Sequence, residues 1–163
     1  MKPVLQVTRE AILVVGLETR TRNADEMDSA TARIPAHYDK FFGDGVAARI
    51  AHKVDPGTMM SLYSDYDSDE TGEYSITLGY EVDRDDDVAQ GLSLKTLPAS
   101  TYAVVTTDRG ALPGVVIEAW QRIWRMPPEE LGGKRTYTGD FELYDERAQN
   151  LEDAEVDIYI AIA

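Results

Sequence analysis

The sequence predicts an α+β fold of two βαββ modules, forming an antiparallel sheet with the helices on one face and a cleft at the module junction. The chain says one thing twice. Met60-Ser61-Leu62-Tyr63-Ser64-Asp65 is echoed by Phe141-Glu142-Leu143-Tyr144-Asp145-Glu146, and Glu73-Tyr74-Ser75-Ile76-Thr77-Leu78 by Glu155-Val156-Asp157-Ile158-Tyr159-Ile160. Tyr63 and Tyr144 set the copies about 81 residues apart, a period that marks a duplicated module. Each copy also pairs one amphipathic helical stretch with strand-like runs, the second observation behind the fold class.

Ala11 to Leu17 is a short, largely β-branched apolar run and reads as a buried strand. Met27, Ala30, Ile34, Tyr38, Phe41 and Phe42 recur at spacings of three and four, as on one helical face. Pro35 suits a first helical turn, so the main helix is placed from about Ile34 to Gly43-Asp44-Gly45, with a looser turn ahead of it. Met59 to Ser64 and Tyr74 to Val82 then form a hairpin around the polar loop Asp65 to Gly72. In the second half, Thr101 to Thr107 is a strand that stops at Asp108-Arg109-Gly110. Pro113 opens a helix carrying Val116, Ala119, Trp120, Ile123 and Trp124, and Pro127-Pro128 ends it. Asp140 to Asp145 and Glu155 to Ala163 close the second hairpin. The expected organisation is a single domain over 1–163, with modules at about 4–82 and 92–163 and the acidic segment 83–91 as linker.

Composition narrows the function classes. The 163 residues carry 30 acidic against 16 basic side chains, a net charge of −14 with no Lys/Arg stripe, so direct nucleic-acid binding is not expected. No apolar run approaches the roughly 20 residues of a membrane helix, and no secretion signal is evident. Cysteine is absent, which excludes disulfides, thiolate metal sites and cysteine nucleophiles and makes a cytoplasmic setting the expectation. Neither His37 nor His52 has a partner at metal-ligand spacing, and both are expected at the surface or a helix edge. Asp65, Asp67 and Asp69 alternate like a calcium loop, but Glu70 stands at the glycine position and Ile76 at the distal acid. Gly43-Asp44-Gly45 with Ala48 mimics a dinucleotide fingerprint but follows a helix instead of a strand. No metal or cofactor is therefore expected.

Strand alternation puts Phe141 and Leu143 on one face, Glu142 and Tyr144 on the other, and Ser61 and Tyr63 on the matching face of the first module. If the helices cover the Phe141/Leu143 face, Glu142 and Tyr144 project from the uncovered one. Only the second copy carries a glutamate here. Glu142 answers Ser61, and that asymmetry makes it the leading candidate functional residue.

In order along nearly the whole chain come Ile34-Pro35-Ala36 with Tyr38 and Phe41-Phe42, Tyr63-Ser64-Asp65-Tyr66, Gly79-Tyr80-Glu81-Val82 and Tyr102-Ala103-Val104. Gly110, Ala119-Trp120, Phe141-Glu142-Leu143-Tyr144 and Glu155 to Ile160 complete the set. This ordered set resembles the gyrase-inhibitor-like family, the bacterial transcription-activator effector-binding domain. The resemblance implies two βαββ modules about a pseudo-twofold axis, and a cleft for lipophilic cations with aromatic walls and a buried glutamate. The family's glutamate falls on Glu142 and its helix tryptophan on Trp120. Where the first helix usually carries tryptophan, this chain has Tyr38. A helix-turn-helix segment often accompanies the domain, and this chain resembles the stand-alone form.

The expected site is thus Glu142 as charge partner, with Trp120, Tyr144, Tyr63 and Tyr38 as walls. The expected role is a non-enzymatic binder of an amphipathic, cationic organic compound, for sequestration or sensing, with any regulatory protein partner unidentified. Two other roles stay open: a hydrolase of a reactive small molecule using Glu142 as general acid or base, and a gyrase-inhibitor-like interaction module.

Overall fold

The computed structural model describes residues 2–163. Its eight strands and four α-helices follow in the order β1 (Leu5–Arg9), β2 (Ile12–Arg22), α1 (Asn23–Glu26), α2 (Ile34–Gly43), β3 (Met59–Ser64), β4 (Glu73–Val82), β5 (Ser93–Leu97), β6 (Ser100–Thr106), α3 (Gly114–Arg125), α4 (Pro128–Leu131), β7 (Asp140–Tyr144) and β8 (Asp157–Ile162). All strand pairs are antiparallel, in the order β1-β6-β8-β7-β3-β4-β2-β5. Exchanging each element with its copy reverses that order onto itself. The β7–β3 seam therefore lies on the pseudo-twofold axis.

Two strands escaped the sequence reading, because their apolar residues are few and partly exposed. β1, with Leu5 58% exposed, pairs with β6 of the second half; β5 pairs with β2 of the first. The two halves thus exchange their leading strands. Arg9↔Ser100 and Ile12↔Leu97 continue one register through Glu10-Ala11 and Pro98-Ala99. β1–β2 and β5–β6 therefore follow one antiparallel register, and the sheet curls so that residues of both halves pack together on its inner face. β2 also runs on to Arg22, beyond the predicted Leu17, because its polar half pairs with the start of β4. Its sharp coiling is tolerated at the Gly16↔Gly79 pair, where an added Cβ on either glycine would strike the opposite backbone.

The curl creates two cores. Inside it lie Ile12, Val14, Met60, Leu62, Leu97, Tyr102, Phe141 and Ala161, with Tyr159 packed alongside. Outside, α2 lays Phe41 on Val15, Leu17, Ile76 and Leu78, while α3 lays Ala119 and Ile123 on Ala103, Val105, Ile158 and Ile160. Both helices begin at proline, as predicted: Pro35 lies in the first turn of α2, and Pro113 directly precedes α3. Gly45, at φ 62, follows the end of α2. Pro128 opens the short α4 after α3 has ended at Arg125. Met27, counted on the helical face from its spacing, lies past α1 and is 73% exposed.

One expectation reverses. The helices cover the Glu142/Tyr144 face, and the Phe141/Leu143 face turns into the strand-only core. Alternation sorts a strand into two faces but does not say which is covered when both are apolar. Here the helices and the curl bury both faces. Phe141 is fully buried, stacked on Tyr159 at 4.7 Å and edge-on to Tyr102 at 5.2 Å. Phe141→Ala is expected to destabilise the fold by about 3–5 kcal/mol in urea unfolding.

Candidate functional site

The register of the seam builds the site. Ser61 of β3 and Glu142 of β7 are direct cross-strand partners, so this charge difference between the copies lies on the pseudo-twofold axis. A second glutamate there would put two carboxylates side by side, at the roughly 5 Å spacing of opposed Cβ atoms. Helix α3 brings Trp120 over Glu142, and α2 brings Tyr38 over Ser61.

Glu142 is 1% exposed. Its Oε2 accepts hydrogen bonds from the Tyr63 hydroxyl at 2.8 Å and the Trp120 indole N–H at 2.6 Å, and its Oε1 from the Tyr144 hydroxyl at 2.6 Å. Tyr38 stands one step away, its hydroxyl donating to Ser61 Oγ at 3.2 Å. Aromatic edges knit the group together. Tyr63 meets Trp120 at 5.2 Å and Tyr74 at 5.6 Å, and Trp120 lies 6.5 Å from Trp124. Four of the five expected residues thus form one hydrogen-bonded cluster, and Tyr38 flanks it. All four aromatic members are half-buried, so the seam retains an aromatic surface above a buried acid.

Among the described residues Glu142 forms no ion pair; all three partners are neutral donors. Burial pushes its carboxyl above the ordinary 4.5, while the bonds from Tyr144, Trp120 and Tyr63 pull the other way. Burial, then the Glu142 charge, holds Tyr63 and Tyr144 well above 10.0, which keeps them protonated as donors. Tyr38 is raised by the same two causes.

A second buried polar group lies on the same face and escaped the sequence reading. Asp140, fully buried, accepts from Ala161 N at 2.8 Å, Tyr66 Oη at 2.7 Å and Arg135 at 2.8 Å. Its signal was available, since Asp140 is two residues before Glu142 and shares its face. Arg135 could not have been found from pattern, as it precedes the strand. Its guanidinium lies 4.4 Å from the Tyr137 ring centre and 5.9 Å from that of Trp120. A hollow of about 240 Å³ borders this group, lined by Glu70, Trp124, Lys134, Arg135 and Tyr137 among others.

The discounted motifs have ordinary explanations. Asp65 pairs with Lys95, Asp67 with Arg20, and Asp69 bonds Thr71, each a hairpin-loop contact. His37 is buried, contrary to the surface expectation, with Nε2 at 2.8 Å from the Leu17 carbonyl; burial lowers its pKa, so the neutral ring donates there. His52 sits 2.8 Å from Asp87, with Asp86 nearby, at the exposed linker.

The raised Glu142 pKa fixes a sign for stability. A carboxyl that ionises less readily when folded contributes stability fully below its unfolded value, near 4.5, and loses that contribution as pH rises through the folded value. Gln at this position keeps an acceptor for Tyr63 and Trp120 and offers an N–H to the Tyr144 oxygen, without a charge. Glu142→Gln is expected to melt at or above the wild-type temperature at pH 7, with the gap shrinking toward pH 4. Calorimetric melts across that range check it.

The chain is similar to YobU of Bacillus subtilis, named as a candidate transcriptional regulator, with 37% identity over 147 residues, 90% of this chain and 89% of that one. Among solved structures it resembles an integron cassette protein from the mobile metagenome of Vibrio cholerae, at 26% identity and TM-score 0.74, covering 99% of this chain and 97% of that one. It also shares the fold of SAV2435, solved bound to tetraphenylphosphonium, at 18% identity and TM-score 0.79, covering 99% and 94%. With residues 7–162 matched by the family described as "Cass2: Integron-associated effector binding protein", the chain belongs to that family of gyrase-inhibitor-like effector-binding proteins.

Proposed function

We propose that this protein binds a lipophilic organic cation at the β3–β7 seam. Glu142 is the charge partner, and Tyr38, Tyr63, Trp120 and Tyr144 are the walls. The observation that carries this reading is a buried carboxylate answered only by neutral donors. Desolvating such a group costs several kcal/mol, and a cation entering the seam offsets that cost. Each aromatic face in reach adds roughly 0.5–2 kcal/mol by cation–π contact. The tetraphenylphosphonium bound by SAV2435, a protein of the same fold, supports this ligand class. The role we assign is capture for sensing or sequestration in the cytoplasm, with any protein partner downstream of the ligand.

Titration with tetraphenylphosphonium, followed by quenching of Trp120 fluorescence, tests the reading. Binding is expected in the micromolar range, near −8 kcal/mol. Glu142→Gln should weaken it by at least about 30-fold, the lower end of the roughly 2–5 kcal/mol carried by a desolvated charge pair. Unchanged affinity in that variant would overturn the assignment. The pH profile has a defined sign. Since the cation needs the ionised carboxylate, affinity should be flat at high pH and fall about tenfold per unit below the folded Glu142 pKa, with a midpoint above 4.5.

The same elevated pKa favours one second reading, a hydrolase in which Glu142 moves a proton. Steady turnover of a strained electrophile, lost in Glu142→Gln, would replace capture with catalysis.

A further inference from the structure

We propose that the buried Arg135–Asp140 pair sets the valency of the seam, making it selective for singly charged over doubly charged cations. This inference rests on the cation-binding reading above. Asp140 and Glu142 occupy alternate positions of β7 on the same face, roughly 7 Å apart along the strand. Both are buried, and with no counter-ion the seam would hold two negative charges. Arg135, its side chain 9% exposed, cancels the nearer threat by bonding Asp140 at 2.8 Å. Tyr66 and the Ala161 amide hold the same carboxylate in place.

The position of Arg135 matters as much as its charge. Its guanidinium lies over the ring of Trp120, while the indole N–H of the same residue points at Glu142. Trp120 therefore stands between the single free negative charge and a fixed positive one. A monocation on Glu142 leaves the seam neutral. A second positive charge reaching past Trp120 meets a guanidinium instead of an available carboxylate. Glu70 and Lys134, of opposite sign, line the adjoining hollow beside Arg135, and Asp69 in the exposed β3–β4 loop is within electrostatic reach of the same guanidinium. An ion pair serving only the fold would carry none of these consequences for ligand charge.

A shape-matched pair of probes separates the two cases: N-methyl-4-phenylpyridinium, a monocation, and methyl viologen, its dicationic counterpart. Calorimetric affinities for both are measured in the wild type, Arg135→Gln, Asp140→Asn and the double variant, each checked for folding by circular dichroism. The wild type should prefer the monocation. Arg135→Gln frees Asp140 and should raise the dication-to-monocation affinity ratio on the order of tenfold. Asp140→Asn frees Arg135 and should move the ratio the opposite way, and the double variant should return it to near the wild-type value. General damage to the fold does not shift a ratio in opposite directions. Should Arg135→Gln fail to fold, Asp140→Asn and the double variant still give the decisive comparison. A wild type that binds tetraphenylphosphonium yet treats the two probes alike, or single variants that leave the ratio unchanged, overturns the inference alone. A wild type that binds no cation at all overturns the function beneath it as well.

Discussion

A carboxylate in a dry seam has three ways to persist: it takes a proton, it finds a cation, or it is wrapped in donors. Glu142 is wrapped. Trp120, Tyr63 and Tyr144 donate to it from a helix and two strands, and none brings a charge. Hydrogen bonds of this kind, each with one ionised partner, contribute roughly 1.5–3 kcal/mol apiece. They only partly offset the burial that raises the Glu142 pKa, and an ionised carboxylate here is left without a counter-charge. On the cation-binding reading proposed above, a cationic guest relieves that residual imbalance, and the aromatic surroundings receive it.

The architecture makes this arrangement possible at low cost. Exchange of the leading strands joins the two halves into one sheet, with the β3–β7 pair at its centre. Duplication supplies two equivalent positions at its centre, and one differs. With serine on one side and glutamate on the other, the axis carries a single charge, and each helix contributes an aromatic donor to its own side. Symmetry built the seam. Its breaking gave the seam a sign.

Much of this was legible in the residues. Proline placement located the starts of α2 and α3, the repeated Leu-Tyr and Glu-x-x-Ile segments located both hairpins, and Glu142 stood out because its twin is Ser61. Other features had no local signature. β1 and β5 owe their existence to pairing with the opposite half, which no short window of sequence encodes. The face beneath the helices was misassigned because both sides of β7 are buried, one by α3 and one by the curl. His37 looked like a surface histidine until the Leu17 carbonyl gave its ring nitrogen a partner in the interior. Arg135 belongs to no periodic element, and only the tertiary fold brings it against Trp120 and Asp140.

The central claim is that the charge on Glu142 is held out of water by neutral groups and answered by a cationic guest. Carbon-detected NMR of its side-chain carboxyl, titrated with pH, reads that charge at its source. The account predicts a midpoint above 4.5 in the free protein and a clear fall when tetraphenylphosphonium saturates the seam. A midpoint at the ordinary glutamate value, unmoved by the cation, would contradict it.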